Sequence, residues 1–368
     1  MLWLTGTSPR KNCLAAWKGS KVSVLFLNHP ESDYGGAMLF TGLCEALGAE
    51  HVYDFPLKLS YHGTTHTYTL PSGDPGVTCP LPWSGTFPRE HVIDNVERIN
   101  DLLTSKFFDF VVLESLRVDA VHAFDFFSGM IRSSNTPVVI ADGEDSPHIP
   151  WRELRRIQPK IFLKRELINN GELYKPSADS TECGIRIVGF PFSAPSSAID
   201  QIEREEGEPW RVVFSAGNTY KLRQEVASAI LKRYGNDHVF VALSPDNENR
   251  LSGFENPGLL PWEKYIARLK NALVGVCVRG FGWDTVRFWE TAYTTTLVAD
   301  KTPLMYANPY VSGETAFIYD CSPEDCIRKI DEALSNLEAS NRIGSAGIEH
   351  TRTHHTNKAR AEMLLNMI

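Results

Sequence analysis

The sequence predicts an α/β protein of two domains, each built on a parallel sheet covered by helices, that face each other across a cleft. The first observation is length, because 368 residues exceed the usual size of a single hydrophobic core and fit two domains. The second is composition, since 42% hydrophobic and 22% charged residues are ordinary values for a globular protein. The third is an alternation of short apolar runs with helical patterns, which occurs in each half of the chain.

In the N-terminal half, Lys21–Leu27 (KVSVLFL) is an apolar run rich in β-branched residues, which predicts a buried parallel strand. A helix is predicted over Ala37–Leu47, where leucines recur on one face, and another over Arg89–Ser105. The segment Pro71–Pro88 is rich in Pro, Gly, Ser and Thr and is predicted to be a loop. Further strands are predicted at His51–Phe55, Phe108–Leu113, Pro137–Ala141 and Lys160–Leu163.

Residues 193–209 combine Ser, Pro and acidic side chains, and we predict that they link the two domains. Strands then follow at Arg211–Ser215, His238–Leu243, Leu273–Val278 and Leu297–Ala299. Helices are predicted at Leu222–Tyr234, Pro261–Lys270, Thr285–Thr294 and Ser322–Leu337. We therefore expect a first domain at residues 1–195, a second at 210–347, and a C-terminal helix at 348–368 that packs back on the first domain.

Charge, cysteine usage and hydropathy limit the partners and the compartment. The net charge of −8, with scattered Lys and Arg, disfavours a nucleic-acid partner but leaves a local basic patch open. Seven cysteines, an odd number without a Cys-x-x-Cys, favour a reducing compartment, and we expect a cytoplasmic protein. No apolar run approaches the roughly 20 residues that a membrane-spanning helix needs.

The strongest candidate site is the loop between the predicted strand Leu273–Val278 and the next helix. Glycines let the backbone approach a ligand closely, and amides near a helix N-terminus attract anions such as phosphate. The same loop is also compatible with a tight turn in which Asp284 or Thr285 caps the helix. A carboxylate such as Glu290 can accept hydrogen bonds from ribose hydroxyls. The predicted binding residues here are Arg279, Gly280, Phe281, Gly282, Trp283, Asp284, Thr285 and Glu290.

The stretch RGFGWDTVRFWETAYTTTLVAD resembles the donor-binding segment of retaining GT-B glycosyltransferases. It is most similar to the group-1 branch that includes the spore-maturation CgeB-like proteins. The resemblance covers residues 211–337 and is only architectural in the N-terminal half. It implies two Rossmann-like domains, a nucleoside-diphosphate sugar in the second domain, and Glu290 as the ribose ligand. The family often has a glutamate at the position that Gly282 occupies in this chain.

A second loop follows the predicted strand Arg211–Ser215 and contains Gly217, Asn218, Lys221 and Arg223. The resemblance implies that a basic residue in this loop neutralises the donor diphosphate. A leaving nucleoside diphosphate gains negative charge as the glycosidic bond breaks, so a fixed cation lowers the barrier. Arg223 is the stronger candidate because a guanidinium can bind phosphate through two hydrogen bonds. The alternative is that both are solvated cations, although cations at a helix N-terminus oppose the helix dipole.

The loop Asn28–Gly36 follows the first strand and contains two adjacent glycines, Gly35 and Gly36. The resemblance implies a glycine-rich loop here that faces the donor from the opposite domain. His29 and Asp33 are candidates for the base that activates an acceptor, and with Lys221 and Arg223 they are the predicted catalytic residues. The alternative for each of the loop residues His29, Asp33, Gly35 and Gly36 is a role as a turn former or a helix cap.

Three carboxylates follow the predicted strand Pro137–Ala141 in a second loop of the N-terminal half, at Asp142, Glu144 and Asp145. Carboxylates this close are costly to bring together unless they are solvated, paired or metal-bound. We expect this loop to be acceptor-side or structural and to be neutralised by residues 164–166 (Lys-Arg-Glu). GT-B enzymes as a class need no metal held by an Asp-x-Asp motif, so we expect no metal and no further cofactor.

The sequence therefore predicts a glycosyltransferase that moves a sugar from a nucleoside-diphosphate donor, such as a UDP-sugar, to an acceptor hydroxyl. The resemblance implies retention of anomeric configuration. A glycan, a lipid-linked acceptor and a nucleobase all remain open as acceptors. Three alternatives also remain: a GT-B-shaped nucleotide-sugar epimerase, a non-catalytic nucleotide-sugar-binding protein, and a transferase that acts on modified DNA bases.

Overall fold

The computed structural model describes residues 22–31, 33–69, 75–78, 80–84, 95–168, 184–244 and 257–368. Two parallel sheets form the frame of the protein, one in each half of the chain. Their strands alternate with helices, because strands that are apolar on both faces need a helical layer on each side. The predicted α/β class is therefore confirmed.

The first sheet is parallel throughout and belongs to the N-terminal lobe, residues 22–189. Its strands are β1 (Val24–Leu27), β2 (Val52–Phe55), β5 (Phe110–Leu113), β6 (Val138–Asp142), β7 (Ile161–Lys164) and β8 (Arg186–Gly189), while β3 (His66–Thr69) and β4 (Pro75–Thr78) form a separate antiparallel pair. The order in the sheet is β2-β1-β5-β6-β7-β8. Winding reverses between β1 and β5, and ligands of open α/β sheets bind at such a switch point, beyond the carboxyl ends of the strands.

Alternate residues along the strands fill two cores, one on each face of the first sheet. The helices of this lobe are α1 (Tyr34–Leu47), α2 (Val96–Thr104), α3 (Val118–Ser134) and α4 (Trp151–Ile157). Val24 and Phe26 pack in the core that includes α1. Leu25 and Leu27 pack in the opposite core, which includes α2, α3 and α4. The sheet is therefore covered on both faces.

The second sheet belongs to the C-terminal lobe, residues 210–354, and is also parallel throughout. A short helix, α5 (Ser196–Ile199), precedes it. Its strands are β9 (Trp210–Ala216), β10 (Val239–Leu243), β11 (Ala272–Cys277), β12 (Thr296–Asp300) and β13 (Phe317–Tyr319). Its helices are α6 (Lys221–Tyr234), α7 (Trp262–Lys270), α8 (Val286–Thr294), α9 (Pro323–Ser335) and α10 (Leu337–His354). The order β10-β9-β11-β12-β13 puts the switch point between β9 and β11.

Two segments cross between the lobes, and they hydrogen-bond to each other. The backbone N–H of Ala194 donates to the carbonyl of His355 at 2.8 Å, and the N–H of Asn357 donates to the carbonyl of Ala194 at 3.0 Å. Beyond this crossing lies α11 (Asn357–Leu365), which packs against α1 of the N-terminal lobe through residues such as Ala361 and Leu364. The C-terminal end of the chain thus contributes to the N-terminal lobe.

The structure differs from the prediction in several places. The tail at 348–368 is not one helix, because Thr356 accepts a hydrogen bond from the Ala359 N–H and so caps a new helix, α11. The predicted loop Pro71–Pro88 contains β4, and the rest of it lies largely outside the described residues. Several elements were not predicted, among them the helices α3 and α4, most of α10, and the strands β3, β8 and β13. Among the described residues, no helix combines the length and apolar character that crossing a bilayer requires.

Candidate functional site

The loops with polar and glycine residues lie at the carboxyl ends of the strands that flank each switch point. In the C-terminal lobe, Gly217 follows β9 and the loop 279–285 follows β11, and β9 and β11 are neighbours in register. In the N-terminal lobe, His29 follows β1 and Glu114 follows β5, which are also neighbours. The parallel topology therefore brings together residues that are far apart in sequence.

The glycine loop, residues 279–285, is tight and carries an exposed aromatic tip. The N–H of Gly280 donates to the carbonyl of Gly282 at 3.1 Å. Phe281 between them is 78% exposed. Arg279 lies over the Trp283 ring, with its guanidinium carbon 3.7 Å from the ring centroid. Such a loop can offer a backbone, a cation and an aromatic face to one ligand.

Neither of the predicted caps of α8 closes the helix through its side chain. Thr285 is the N-cap residue but makes no side-chain capping bond with the described residues. Asp284 turns away and accepts hydrogen bonds from the Trp289 indole at 2.8 Å and from the Phe192 N–H at 2.6 Å. Because Phe192 follows β8, Asp284 links the loop to the opposite lobe.

Glu290 lies on α8 with its carboxylate buried, 1% exposed, and already paired. It accepts a hydrogen bond from the Trp262 indole at 2.7 Å and from Arg287 at 2.9 Å. Burial opposes the charge of Arg287, but the Glu290 carboxylate outweighs it and raises the pKa of that guanidinium. A ribose that binds Glu290 must therefore share or replace these two donors.

The two predicted phosphate cations lie in different surroundings. Arg223 is buried, and its guanidinium donates to the carbonyls of Gly217 (2.8 Å), Val278 (3.1 Å) and Arg279 (2.9 Å). It therefore ties together the loops after β9 and β11. Lys221 begins α6, with a side chain that is 85% exposed and an ammonium 3.0 Å from Glu225. Of the two, Lys221 is the cation that a ligand can reach without rearrangement.

Asn218 contributes to the shape of the same loop. Its backbone N–H donates to the Ser244 hydroxyl at 2.8 Å, so the loop after β9 is joined to the end of β10. Its side-chain oxygen accepts a hydrogen bond from Gln224 at 2.8 Å. In this structure the predicted donor residue Asn218 therefore serves loop geometry.

The N-terminal lobe presents a buried polar cluster centred on His29. The His29 Nε2 atom lies 3.7 Å from Asp33 and 3.6 Å from Glu114. Glu114 also accepts hydrogen bonds from Lys58 at 2.7 Å and from Tyr61. His29, Asp33 and Glu114 are grouped closely enough to hold a metal ion. An imidazole between two carboxylates is also an arrangement that can hold or transfer a proton.

Asp33 is ionised at neutral pH. Burial by itself raises the pKa of this carboxyl, but His29, the Gly36 N–H and the charge of Lys58 lower it to about 2. The Gly36 N–H donates to Asp33 at 2.9 Å, so Asp33 is also the N-cap of α1. A Cβ at Gly36 would lie 2.3 Å from the Glu114 carboxylate, so the cluster requires glycine there.

Glu114 and its partners Lys58 and Tyr61 were missed from the sequence. Glu114 directly follows the strand β5, so the rule that polar residues after strands form sites would have found it. Lys58 and Tyr61 do not directly follow a strand, so this rule does not identify them. Only the fold brings them to Glu114.

The acidic loop after β6 is neutralised residue by residue. Asp142 pairs with Lys164 at 2.7 Å, and Glu144 pairs with Arg117 at 2.9 Å. Asp145 pairs with Arg165. The predicted neutralisation by residues 164–166 therefore holds for the lysine and the arginine. A small cavity of about 20 Å³ lies beside this loop and is lined by residues that include Gly35, Asp142, Gly143, Arg165 and Phe192.

Asp300 lies at the end of β12, beneath the glycine loop, and was not predicted. Its carboxylate accepts a hydrogen bond from the Arg279 N–H at 3.1 Å. Burial raises the pKa of Asp300 to about 7, against the lowering effect of Arg279 and Arg223. The loop is therefore supported by a carboxyl that titrates near neutral pH.

Comparison with known proteins finds similar folds and one matching family pattern. Residues 252–366 match the family model described as "Glycosyl transferase-like". No curated protein matches the sequence. Among solved structures, a glycosyltransferase from Rickettsia africae has 12% identity and a TM-score of 0.61, with 94% of this chain and 97% of that chain covered.

Two further structures share the architecture. HepE from Anabaena, in complex with UDP and glucose, has 11% identity, a TM-score of 0.53, and coverage of 94% of this chain and 98% of that chain. Sucrose-phosphate synthase from Thermosynechococcus elongatus has 11% identity, a TM-score of 0.52 and the same coverages. The predicted resemblance in the C-terminal half is confirmed by the family match. The chain thus has the GT-B fold of two Rossmann-like lobes, and residues 252–366 of its C-terminal part carry a glycosyl transferase-like pattern.

Proposed function

We propose that the protein transfers a sugar from a nucleoside-diphosphate donor in its C-terminal lobe to an acceptor hydroxyl bound by its N-terminal lobe. The observation that carries this proposal is the pairing of two loops at the switch point of the second sheet. Gly217 and the glycine loop 279–285 follow neighbouring strands, and the carboxylate of Glu290 lies on the helix that continues the glycine loop. Backbone amides suit a diphosphate and a carboxylate suits ribose hydroxyls.

Each donor-side group has a distinct task in this proposal. The amides of the glycine loop and the ammonium of Lys221 attract the diphosphate, whose negative charge increases as the glycosidic bond breaks. Arg223 holds the two loops at a fixed separation. Phe281, exposed at the loop tip, offers an apolar face to the sugar or the base. Contacts that strengthen as negative charge develops on the diphosphate stabilise the transition state more than the bound substrate, and they therefore increase the rate.

On the acceptor side, His29 is the candidate base. The ionised Asp33 and the Glu114 carboxylate flank its imidazole, so they can orient the ring and stabilise a proton on it. The residues around the small cavity beside Gly35 and Gly143 are the candidate acceptor contacts. Retention of anomeric configuration is part of the proposal and rests on the family resemblance.

UDP is the first nucleotide to test, because the similar Anabaena structure is a complex with UDP and glucose. A thermal-shift screen of UDP, GDP, dTDP and ADP and their sugars should give one strongly stabilising base. A ligand at about 100 times its dissociation constant stabilises the folded state by roughly 2.7 kcal/mol. No stabilisation by any nucleotide or nucleotide sugar would contradict the proposal.

Glu290→Gln is the sharpest variant for the nucleotide site. It should weaken UDP binding by about tenfold or more, because the amide replaces a charged acceptor of ribose hydroxyls. It should also lower the free energy of unfolding by about 1–2 kcal/mol, because the partly buried Arg287 loses the counter-charge of Glu290. Glu314→Gln, an exposed carboxylate that precedes β13, is the control and should change neither quantity. Unchanged UDP affinity in Glu290→Gln would exclude Glu290 as the ribose ligand.

Product analysis separates the alternatives. An epimerase would convert the sugar nucleotide in the absence of any acceptor, and one neighbouring structure, from Listeria monocytogenes, is provisionally assigned as a UDP-N-acetylglucosamine 2-epimerase. A non-catalytic protein would bind the nucleotide without turnover on a broad acceptor panel. A transferase for modified DNA bases would show salt-dependent DNA binding, which the net charge of −8 disfavours.

A further inference from the structure

Three consecutive charged residues, Lys164, Arg165 and Glu166, lie at the end of β7 and contact two different loops. Lys164 pairs with Asp142 and Arg165 pairs with Asp145, so both serve the acidic loop of their own lobe. Glu166 does not complete that pattern. Its carboxylate leaves the N-terminal lobe and enters the glycine loop of the C-terminal lobe.

The contact of Glu166 with the glycine loop uses both carboxylate oxygens. The Trp283 N–H donates to one oxygen at 3.0 Å, and the Asp284 N–H donates to the other at 3.0 Å. The carboxylate is buried, and a Cβ at Gly282 would lie 2.4 Å from it. Glycine at 282 is therefore what lets the opposite lobe reach the backbone of the loop.

A second contact runs in the opposite direction. Asp284 of the loop accepts a hydrogen bond from the Phe192 N–H, so each lobe supplies a carboxylate to the backbone of the other. The charges facing this pair are balanced. Arg165 lies 3.5 Å from Glu166, and Arg165 and Arg360 of α11 both lower the pKa of Asp284 against the raising effect of its burial.

The glycine loop needs such external support because it has little of its own. Its internal bond between Gly280 and Gly282 spans only two residues, and Thr285 makes no side-chain capping bond with the described residues. Arg223 supports the loop from within the C-terminal lobe, at the carbonyl of Arg279. Glu166 supports its other end, and does so only while the lobes are together.

We propose that Glu166 is a positioning residue of the donor site, which reaches across the cleft, binds the N–H groups of Trp283 and Asp284, and thereby holds the rest of the glycine loop in the shape that meets the diphosphate. This inference rests on the proposed function. It assigns to the acceptor lobe a part in forming the donor site, so the donor loop is complete only in the closed arrangement of the lobes. A bound carboxylate with two amide donors is a strong fastening, because charge-assisted hydrogen bonds exceed neutral ones.

The test compares Glu166→Ala, Glu166→Gln and Glu166→Asp with the control Glu97→Gln, whose carboxylate is exposed on α2 of the same lobe. UDP and uridine are titrated into each variant, and hydrogen exchange is followed in residues 279–288. Glu166→Ala should bind UDP about tenfold or more weakly and should exchange faster in the loop. Uridine affinity should hardly change, because the nucleoside lacks the diphosphate. Glu166→Gln should be intermediate, since it keeps one acceptor oxygen.

Each outcome has a distinct meaning. Faster loop exchange with undiminished UDP affinity would overturn the positioning role and leave the proposed function standing. Equal weakening of UDP and uridine would also overturn it, because that pattern indicates a general structural defect. If Glu166→Ala fails to fold, Glu166→Gln and Glu166→Asp carry the same comparison. Wild-type protein that binds neither UDP nor uridine would overturn the inference together with the UDP form of the proposed function.

Discussion

Arg223 and Lys221 lie two residues apart in α6. Arg223 is buried and Lys221 is exposed, so we expect the two residues to have different roles. Arg223→Ala would leave the carbonyls of Gly217, Val278 and Arg279 without their donor, so the free energy of unfolding should fall by about 2–3 kcal/mol. Lys221→Ala should leave stability unchanged, because its ammonium is exposed. Chemical denaturation of both variants measures the difference.

The same two variants divide structural support from ligand contact. Lys221→Ala should weaken UDP binding without weakening uridine binding, since only the diphosphate carries charge. Arg223→Ala should disorder the loops after β9 and β11. It should therefore weaken UDP binding in parallel with its loss of stability. A stable Arg223→Ala protein with weakened UDP binding alone would instead indicate that the guanidinium contacts phosphate directly.

Asp300 should make stability depend on pH near neutrality. Its pKa is raised to about 7 by burial, whereas an aspartate in an unfolded chain has a pKa of about 3.9. The folded state therefore binds more protons between these values, and this contribution to stability, present below about pH 4, is lost as pH rises through about 7. The loss is on the order of 1.4 kcal/mol for each pH unit at most. In Asp300→Asn this pH-dependent part of the free energy of unfolding should vanish. Chemical denaturation between about pH 5 and pH 8 measures it. An unchanged pH slope would mean that Asp300 stays ionised.

At the scale of elements, the contact between α1 and α11 depends on one glycine. A Cβ at Gly42 would lie 2.1 Å from the backbone carbonyl oxygen of Asn357, so Gly42→Ala should force the helices apart and cost about 1–3 kcal/mol of stability. Gly129 in α3 is the matched control, since a Cβ there meets nothing within 4 Å. Gly129→Ala should stabilise the protein by about 0.5–1 kcal/mol, because alanine favours the helix. Similar thermal midpoints for the two variants would contradict the described packing.

Most elements could be predicted because their signals are local. Apolar runs mark the buried strands β1, β5, β6, β9 and β11, and a parallel sheet requires such runs. The edge strand β13 has only three residues, and α11 begins at a threonine cap inside a continuous helical pattern. These features depend on tertiary contacts, so periodicity alone does not reveal them.

The candidate site could be predicted only as far as single loops. The glycine loop and Glu290 were found because each follows a strand or opens a helix. The partners of Glu290 were not found, since Trp262 is 28 residues away and the fold joins them. Glu166 was predicted to act with Lys164 and Arg165 at the acidic loop of the same lobe. Its contact with the other lobe could not be predicted, because sequence patterns do not show how close the two lobes lie.

At the scale of the whole molecule, α11 joins the two ends of the described chain into one lobe. Removing residues 356–368 would uncover the face of α1 that packs against Ala361, Leu364 and Leu365. The loss of three buried apolar side chains should cost on the order of 5 kcal/mol, mostly in the N-terminal lobe. Calorimetry should show an earlier transition, and hydrogen exchange should place it in the first sheet. Uniform loss of protection in both lobes would contradict this division.

The crossing at Ala194 also restricts how the cleft can open. Both segments between the lobes are joined by the hydrogen bonds of Ala194 with His355 and Asn357, so the chain crosses between the lobes at a single place. Rotation of one lobe against the other is therefore expected to centre there. Release of Glu166 from the glycine loop would be the first consequence of such a rotation.

The position of α11 has a further consequence for biosynthesis. The strands of the first sheet leave the ribosome early, but the helix that covers α1 is translated only after the entire C-terminal lobe. An apolar face of α1 in the nascent N-terminal lobe therefore stays uncovered until α11 is synthesised. The second sheet and its helices, in contrast, are contiguous in sequence. Chaperones that bind exposed apolar helices during translation would thus meet this protein at α1, and their release would coincide with the arrival of the last helix.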